Sequence, residues 1–362
     1  MFNDLYRGRR VLVTGHTGFK GSWLCHWLAE LGAELCGVAL PPEGEPNHFA
    51  LLGTAMRSEF CDIRDLDRLT RIFADFRPDA VFHLAAQPLV RRSYRDPVGT
   101  FASNVLGTAN VLESVRRCES VRAVVAITSD KCYENRERER GYREDDPMGG
   151  YDPYSASKGC SELVISSFRR SFFHPAEYGH KHNTLIASGR AGNVLGGGDW
   201  AEDRLVPDLM RAAARGETAL LRNPGAVRPW QHVLEPLSGY LALGGGLLTG
   251  EARLADGWNF GPADDRAVTV GEAAAALAET WRDIKYTVPA AGDAPHEAKL
   301  LRLDCSKAER ELKWRGVWTP EECFRRTAAW YRDFYRGGKI ATADDCRAYI
   351  REAREKGLLW TR

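Results

Sequence analysis

Apolar positions along the chain fall into two alternating patterns. Short aliphatic runs, "RVLVT" (10–14), "ELCGVAL" (34–40), "DAVFHLA" (79–85), "RAVVAIT" (122–128) and "TLIASG" (184–189), read as strands. Between them Trp23, Leu24, Trp27, Leu28 and Leu31 recur at three- and four-residue spacing, as do Val105, Ala109, Leu112 and Val115, which reads as helix. Strands that are apolar throughout and separated by such helices require a parallel sheet covered on both faces. Residues 1–195 are therefore expected to form a doubly wound α/β domain.

After "GGGDW" (196–200) the pattern loosens, and residues 196–362 are expected to form a smaller, mixed region. Turn-rich stretches occur at 222–233 and 289–298, and "DGWNFG" (256–261) with a helix at 270–282 can return to the sheet. In the tail, "ECFRRTAAWYRDFYR" carries an aromatic stripe at helical spacing, which is packing rather than a ligand site.

Charge changes the picture by exclusion. Lys and Arg number 50 against 49 Asp and Glu, so nothing electrostatic draws the chain to nucleic acid or to an acidic membrane. Nine scattered cysteines without a CxxC pair indicate neither a disulfide framework nor a metal site. No window approaches the roughly 18 apolar residues of a membrane span, and the start "MFNDLYRGRRVLVTG" has no apolar signal core. A cytoplasmic protein is expected.

The first strand runs into "VTGHTGFKG", which places Gly15, Gly18 and Gly21 directly before the Trp23 helix. A pyrophosphate can lie against a helix N-terminus only where the backbone comes close, and glycine removes the Cβ that blocks it. The pattern predicts a bound dinucleotide. The acid that usually binds the ribose hydroxyls after the second strand is missing, with Leu40 and Pro41 in its place, so residue chemistry does not separate NAD from NADP. Asp62 of "CDIRD" follows a further strand, where it can accept from the adenine amino group or cap the helix that follows.

"GYDPYSASKG" opens another helix, with Asp152 as cap and Pro153 in its first turn. Tyr154 and Lys158 then share one face. A phenol ordinarily titrates at about 10, so a tyrosine that takes a proton from an alcohol needs a cation nearby. Lys158 is expected to supply it. Upstream, "TSDK" sets Thr128, Ser129, Asp130 and Lys131 at the end of an apolar strand.

Taken together, the glycine loop, "HLAAQ" (83–87), Asn104, Thr128 and the Tyr154/Lys158 pair resemble the extended short-chain dehydrogenase/reductase family over most of the chain. "TGHTGFKGSWL", "TSDKCYEN", "GGYDPYSASKGC", "RAGNVLGGGDWAEDRL" and "RPWQHVLEPLSGYL" resemble more narrowly its nucleotide-sugar dehydratases of the CDP-glucose type. The resemblance implies a Rossmann fold, NAD as cofactor, CDP-glucose as favoured substrate, and a homodimer, or a higher oligomer, built on the helices at 105–117 and 154–173, with Leu163, Val164 and Phe168 at the contact or in the core.

The residues it assigns to NAD are Gly15, His16, Thr17, Gly18, Phe19, Lys20, Gly21, Asp62, Ile63, Leu84, Ala85, Ala86, Gln87 and Asn104, with Thr128, Tyr154 and Lys158. Those assigned to the sugar nucleotide are Gln87, Ser129, Asn193, Arg204, Leu205, Arg228 and Trp230, with His232 and Arg190 as weaker choices. Guanidinium forks suit a diphosphate.

Alcohol oxidation needs only a tyrosine, a lysine and a hydroxyl. Losing water across C5 and C6 of a hexose also needs a base for C5 and an acid for O6, which Asp130 and Lys131 can provide. In this scheme Tyr154 takes the C4 hydroxyl proton, Thr128 holds the C4 oxygen, Asp130 protonates the departing O6, and Lys131 or a neighbour removes H5. Lys131 can instead stabilise the enolate. Two rivals remain: a nucleotide-sugar epimerase or reductase that never eliminates water, and a non-catalytic dinucleotide sensor.

Overall fold

The computed structural model of the protein describes residues 1–221, 223–262, 266, 268–288 and 300–362. Its centre is a seven-stranded sheet. Strands β1 (Arg10–Thr14), β2 (Glu34–Ala39), β3 (Arg57–Phe60), β4 (Ala80–His83), β5 (Ala123–Ile127) and β6 (Leu185–Arg190) are joined by the short strand Gly257–Asn259. The order across the sheet is Gly257–Asn259, β6, β5, β4, β1, β2, β3, and every pairing is parallel. Chain order reverses at β1 and β4, so the cleft beyond their carboxyl ends is where such a sheet binds ligands.

Both faces of the sheet are covered. Val11, Val13, Phe82 and Val125 face one core with Trp23, Trp27 and the C-terminal helices. Leu12, Val81, Val124 and Ile186 face a second core with Leu69, Phe73 and Leu112. Successive strand residues alternate between the two cores, which is why the strands read as apolar without interruption.

The chain past residue 195 crosses the first face with helices Leu205–Arg215, Leu234–Leu248, Val270–Thr280, Pro320–Gly337 and Thr342–Glu355. Three two-stranded ladders frame the cleft: Val194–Leu195 with Gln231–His232, Val227–Arg228 with Val268–Thr269, and Thr218–Leu220 with Lys285–Thr287. The aromatic stripe of the tail is packing: Trp330 and Tyr331 are buried, and Trp330 lies beside Trp200 and Phe334. The turn-rich stretch at 289–298 lies outside the described residues. Among the described residues no helix is long and apolar enough to cross a membrane.

Candidate active site

One cleft of about 2550 Å³ runs along the carboxyl ends of the strands. A pocket for a single drug-sized ligand is about 300–1,000 Å³, so this cleft has room for two large ligands side by side. The glycine loop, Asp62, Ile63 and Leu84 to Gln87 line one part; Asn193, Arg204, Leu205, Arg228 and Trp230 line the other. Thr128, Ser129, Asp130, Lys131, Tyr154 and Lys158 line the join between them.

The glycine loop has the geometry a pyrophosphate needs. Gly15 sits at φ +78°, and a Cβ there would lie 2.7 Å from the Ala85 nitrogen. At Gly21 a Cβ would lie 2.0 Å from the Gly15 carbonyl oxygen. Side chains at these two positions would collide with the backbone after β4 and with the loop itself, so the loop could not keep its tight path in front of the helix Phe19–Glu30. Thr17 donates to the Leu40 carbonyl at 3.0 Å, closing the loop over the end of β2.

Three residues expected at the cofactor are committed elsewhere. His16 is turned into the sheet, its Nε2 bonded to Ser58 Oγ at 2.7 Å and its ring filling the space left by Gly37. Burial takes its pKa down to about 4. Asn104 is buried within a π-helical turn, where Oδ1 accepts from the Gln87 amide and Nδ2 donates to Ser157 Oγ at 2.8 Å. It ties the loop after β4 to the helix Pro153–Ser171 and does not reach the cleft. Gln87 lines the cleft, but its side-chain amide bonds Leu89 and Thr100.

Asp62 does not cap the next helix; Asp65 does, accepting from Arg68 N at 3.0 Å. The Asp62 carboxylate takes the Arg64 guanidinium, which lowers its pKa, at the rim of the adenosine end of the cleft.

At the join, Asp152 caps the helix Pro153–Ser171 through Ser155 N, and Pro153 stands in its first turn. Tyr154 and Lys158 follow on one face and are both buried. Burial pushes the Tyr154 phenol up to about 12, against which the Ser129 hydroxyl and, more weakly, the Arg204 charge pull it down. Lys158 is lowered to about 8 by burial, and its ammonium reaches the Ile127 carbonyl at 3.4 Å. Lys131 also stands over the phenol ring, with Nζ 5.9 Å from the ring centroid.

The structure corrects the hydroxyl. Thr128 donates to Glu162 Oε1 at 2.5 Å, so its side chain is spent on a buried ion pair. Its neighbour Ser129 is the one at the phenol, and it also donates to Asp130 Oδ1 at 2.9 Å. Asp130 is 1% exposed, and its Oδ2 is buried without a partner. That carboxylate fits only because residue 192 is glycine, where a Cβ would lie 1.7 Å from Oδ2.

On the sugar-nucleotide side, Arg204 bonds Asp199 Oδ2 at 2.9 Å at the mouth of the helix Leu205–Arg215, and Asn193 adopts φ 44°. Arg228 lines the cleft from its two-residue strand, and Trp230 anchors there by donating to the Val268 carbonyl at 3.1 Å. His232 is a correction. It is fully buried, accepts from Leu234 N, packs edge-on to Trp23 and Trp318, and is lowered to about 3 by burial, away from the cleft. Arg190 is likewise structural, held by Glu162 beneath the site.

Residues 12–327 match the family model described as GDP-mannose 4,6 dehydratase. The CDP-glucose 4,6-dehydratase of Salmonella typhimurium (strain LT2) is 50% identical over 336 residues, covering 92% of this chain and 93% of that protein. The dTDP-glucose 4,6-dehydratase of Shigella flexneri is 26% identical, covering 89% and 92%. Among solved structures, the Thermus thermophilus UDP-glucose 4-epimerase in complex with NAD superposes with a TM-score of 0.75 at 27% identity, covering 91% of this chain and all of that one. This chain belongs to the GDP-mannose 4,6 dehydratase family, within the extended short-chain dehydrogenase/reductases.

Proposed function

We propose that the protein is an NAD-dependent CDP-glucose 4,6-dehydratase, converting CDP-glucose to CDP-4-keto-6-deoxyglucose with loss of water. The observation that carries this reading is Asp130, buried beside Tyr154 with one carboxylate oxygen unpartnered. An epimerase or reductase has no use for a buried acid at that place. Half of the 336 aligned residues are identical to those of the Salmonella CDP-glucose enzyme, which supports the choice of substrate. The cofactor is assigned mainly to residues 1–195 and the sugar nucleotide mainly to 196–362.

When bound, NAD supplies the hydride acceptor for C4 and the hydride donor for C6, and its pyridinium charge favours the Tyr154 phenolate. The glycine loop would hold its pyrophosphate, and Lys158 would hold its nicotinamide ribose. Tyr154 takes the proton of the C4 hydroxyl while the Ser129 hydroxyl holds the C4 oxygen, the role expected of Thr128. The resulting ketone acidifies C5, and Lys131 places positive charge where the enolate forms. Asp130 gives its proton to O6 as the C6–O bond breaks. Arg204 and Arg228 hold the diphosphate, and Trp230 packs against base or sugar.

A homodimer is supported by the outward faces of two neighbouring helices. Leu106, Leu163 and Phe172 are exposed there, whereas Val164 and Phe168 pack into the second core. Leu163→Arg should then yield a monomer by light scattering.

Incubation with CDP-glucose followed by mass spectrometry tests the activity. Loss of one water is expected. An unchanged mass with an altered sugar would make the protein an epimerase, and no change at all would leave a dinucleotide-binding protein without this chemistry.

A further inference from the structure

The run "GGGDW" (196–200), where the alternating pattern of strands and helices ends, has no role in the scheme above. Two of its glycines let the backbone settle on an aromatic floor. A Cβ at Gly197 would lie 2.0 Å from Trp330 Cδ2, and Gly198 sits at φ +83° with its Cβ position 2.4 Å from His48 Cδ2. Trp23 Nε1 donates to the Gly197 carbonyl at 2.9 Å, and the Tyr331 hydroxyl donates to the Asp199 carbonyl. The floor is itself fixed, since both ring nitrogens of His48 are bonded, one to Ser22 Oγ and one to Thr342 Oγ1, each at 2.8 Å.

At the end of this anchored turn stands one carboxylate. Asp199 Oδ1 accepts from Ala201 N at 3.0 Å, and Oδ2 accepts from Arg204 Nη1 at 2.9 Å. The two side chains are 6% and 35% exposed, so the acid lies beneath and the guanidinium lies at the cleft. Arg204 is the N-cap residue of the helix Leu205–Arg215, where a cation opposes the helix dipole and needs an acid beside it. Asp199 is its one side-chain partner among the described residues. That bond engages Nη1 and leaves the donors on Nε and Nη2 for a ligand.

Asp199 acts on an anionic ligand in two ways of opposite sign. Its charge repels a diphosphate at Arg204, so through charge alone its removal would tighten binding. Its bond holds a long, flexible side chain in one rotamer before the ligand arrives, so its removal would leave that ordering for the ligand to supply. Both carboxylate oxygens are engaged within the loop and the charge is paired with the guanidinium, which favours the second effect. We propose that Asp199 is the positioning residue that aims Arg204 at the diphosphate of the sugar nucleotide. The assignment rests on the reading of Arg204 as a diphosphate ligand.

Calorimetric titration of the full-length protein, loaded with NAD, with CDP and separately with cytidine tests this on the wild type, Asp199→Asn, Arg204→Gln and the double variant. Asparagine keeps the size and one acceptor oxygen but loses the charge that holds the guanidinium. Asp199→Asn should weaken CDP binding by about 3–10-fold, the effect of leaving one long side chain unordered. Cytidine, which has no diphosphate, should bind as it does to the wild type. The double variant should bind CDP no more weakly than Arg204→Gln, because Asp199 acts through Arg204.

Equal or tighter CDP binding by Asp199→Asn overturns the assignment and leaves the carboxylate as a screening charge. Equal losses for CDP and cytidine, or losses that add in the double variant, also overturn it and make Asp199 a staple of the loop. Should Asp199→Asn not fold, Tyr331→Phe carries the test, since it keeps the ring and removes only the hydroxyl that holds the Asp199 carbonyl. CDP should then bind about 2–10-fold more weakly with cytidine unaffected, and undiminished CDP affinity overturns the assignment. If Arg204→Gln binds CDP as tightly as the wild type, the reading of Arg204 falls first and this assignment falls with it.

Discussion

Arg190 meets Glu162 through two parallel bonds, Nε to Oε1 and Nη2 to Oε2, both at 2.9 Å. The pair is almost wholly buried, and its remaining bonds are all taken: Thr128 and Ser188 donate to the carboxylate, and the guanidinium donates to Tyr133 and the Glu144 carbonyl. Glu162 lies one helical turn beyond Lys158, so the pair fixes the catalytic helix against β5 and β6. Removing one partner leaves the other charge buried and alone. Glu162→Gln is expected to cost about 3–5 kcal/mol. Denaturant unfolding measures this, and a loss under about 1 kcal/mol would show the pair to be dispensable.

Two adjacent hydroxyls should respond in opposite ways. Ser129→Ala removes the group beside the phenol, and kcat should drop by about 10²–10³-fold with stability nearly unchanged. Thr128→Val removes a donor to the buried Glu162, which should cost about 1–3 kcal/mol of stability and leave kcat far less affected. Steady-state kinetics beside thermal unfolding of both variants checks the pair. Equal kinetic damage from both would place Thr128 at the substrate after all.

That distinction shows where the sequence stops being legible. The alternation of aliphatic strands with amphipathic helices revealed the sheet, and the i, i+4 spacing of Tyr154 and Lys158 revealed the reacting face. Ser129 and Thr128 could not be told apart because β5 is buried on both sides. No polar face marks which residues point to the cleft at its end. His16 and His232 misled for a related reason: each sits within a ligand-binding motif, while its ring satisfies the packing behind that motif. The edge strand β3, "RSEF", is mostly exposed and has no aliphatic run to delimit it.

Gly192 should be as intolerant of change as the acid it accommodates. An added methyl falls 1.7 Å from Asp130 Oδ2 and 2.1 Å from Cγ, inside a site with no slack. Gly192→Ala is therefore expected to displace Asp130 and reduce water loss by about 10²-fold or more, while NAD binding is retained because the glycine loop is untouched. Gly21→Ala should do the reverse, since its Cβ meets the Gly15 carbonyl at 2.0 Å and must displace the glycine loop. NAD titration and product analysis on the two variants separate the effects; the same loss of NAD binding in both would refute the division.

Far from the cleft, Glu235 sets a pH dependence of stability. It is fully buried and accepts from the Val317 and Trp318 amides at 2.8 and 2.7 Å and from the Tyr349 hydroxyl at 2.7 Å. Burial nevertheless pushes its carboxyl up from 4.5 to about 7. Below 4.5 both the folded and unfolded chains hold the proton, and the site costs nothing. Between there and about 7 the unfolded chain releases it while the folded chain keeps it, so the unfolded state binds fewer protons and stability falls as pH rises. The full loss is about 3 kcal/mol and is complete above the folded pKa. Asp345, raised to about 6 by burial, contributes in the same direction, so the variant Glu235→Gln is needed to isolate this site. Glutamine offers one acceptor oxygen for two amides and should be less stable than wild type at about pH 5. The gap should narrow steadily toward about pH 8, as only the wild type pays for ionisation. Denaturant midpoints of both proteins across that range check it, and a gap that stays constant with pH would show that Glu235 does not titrate on unfolding.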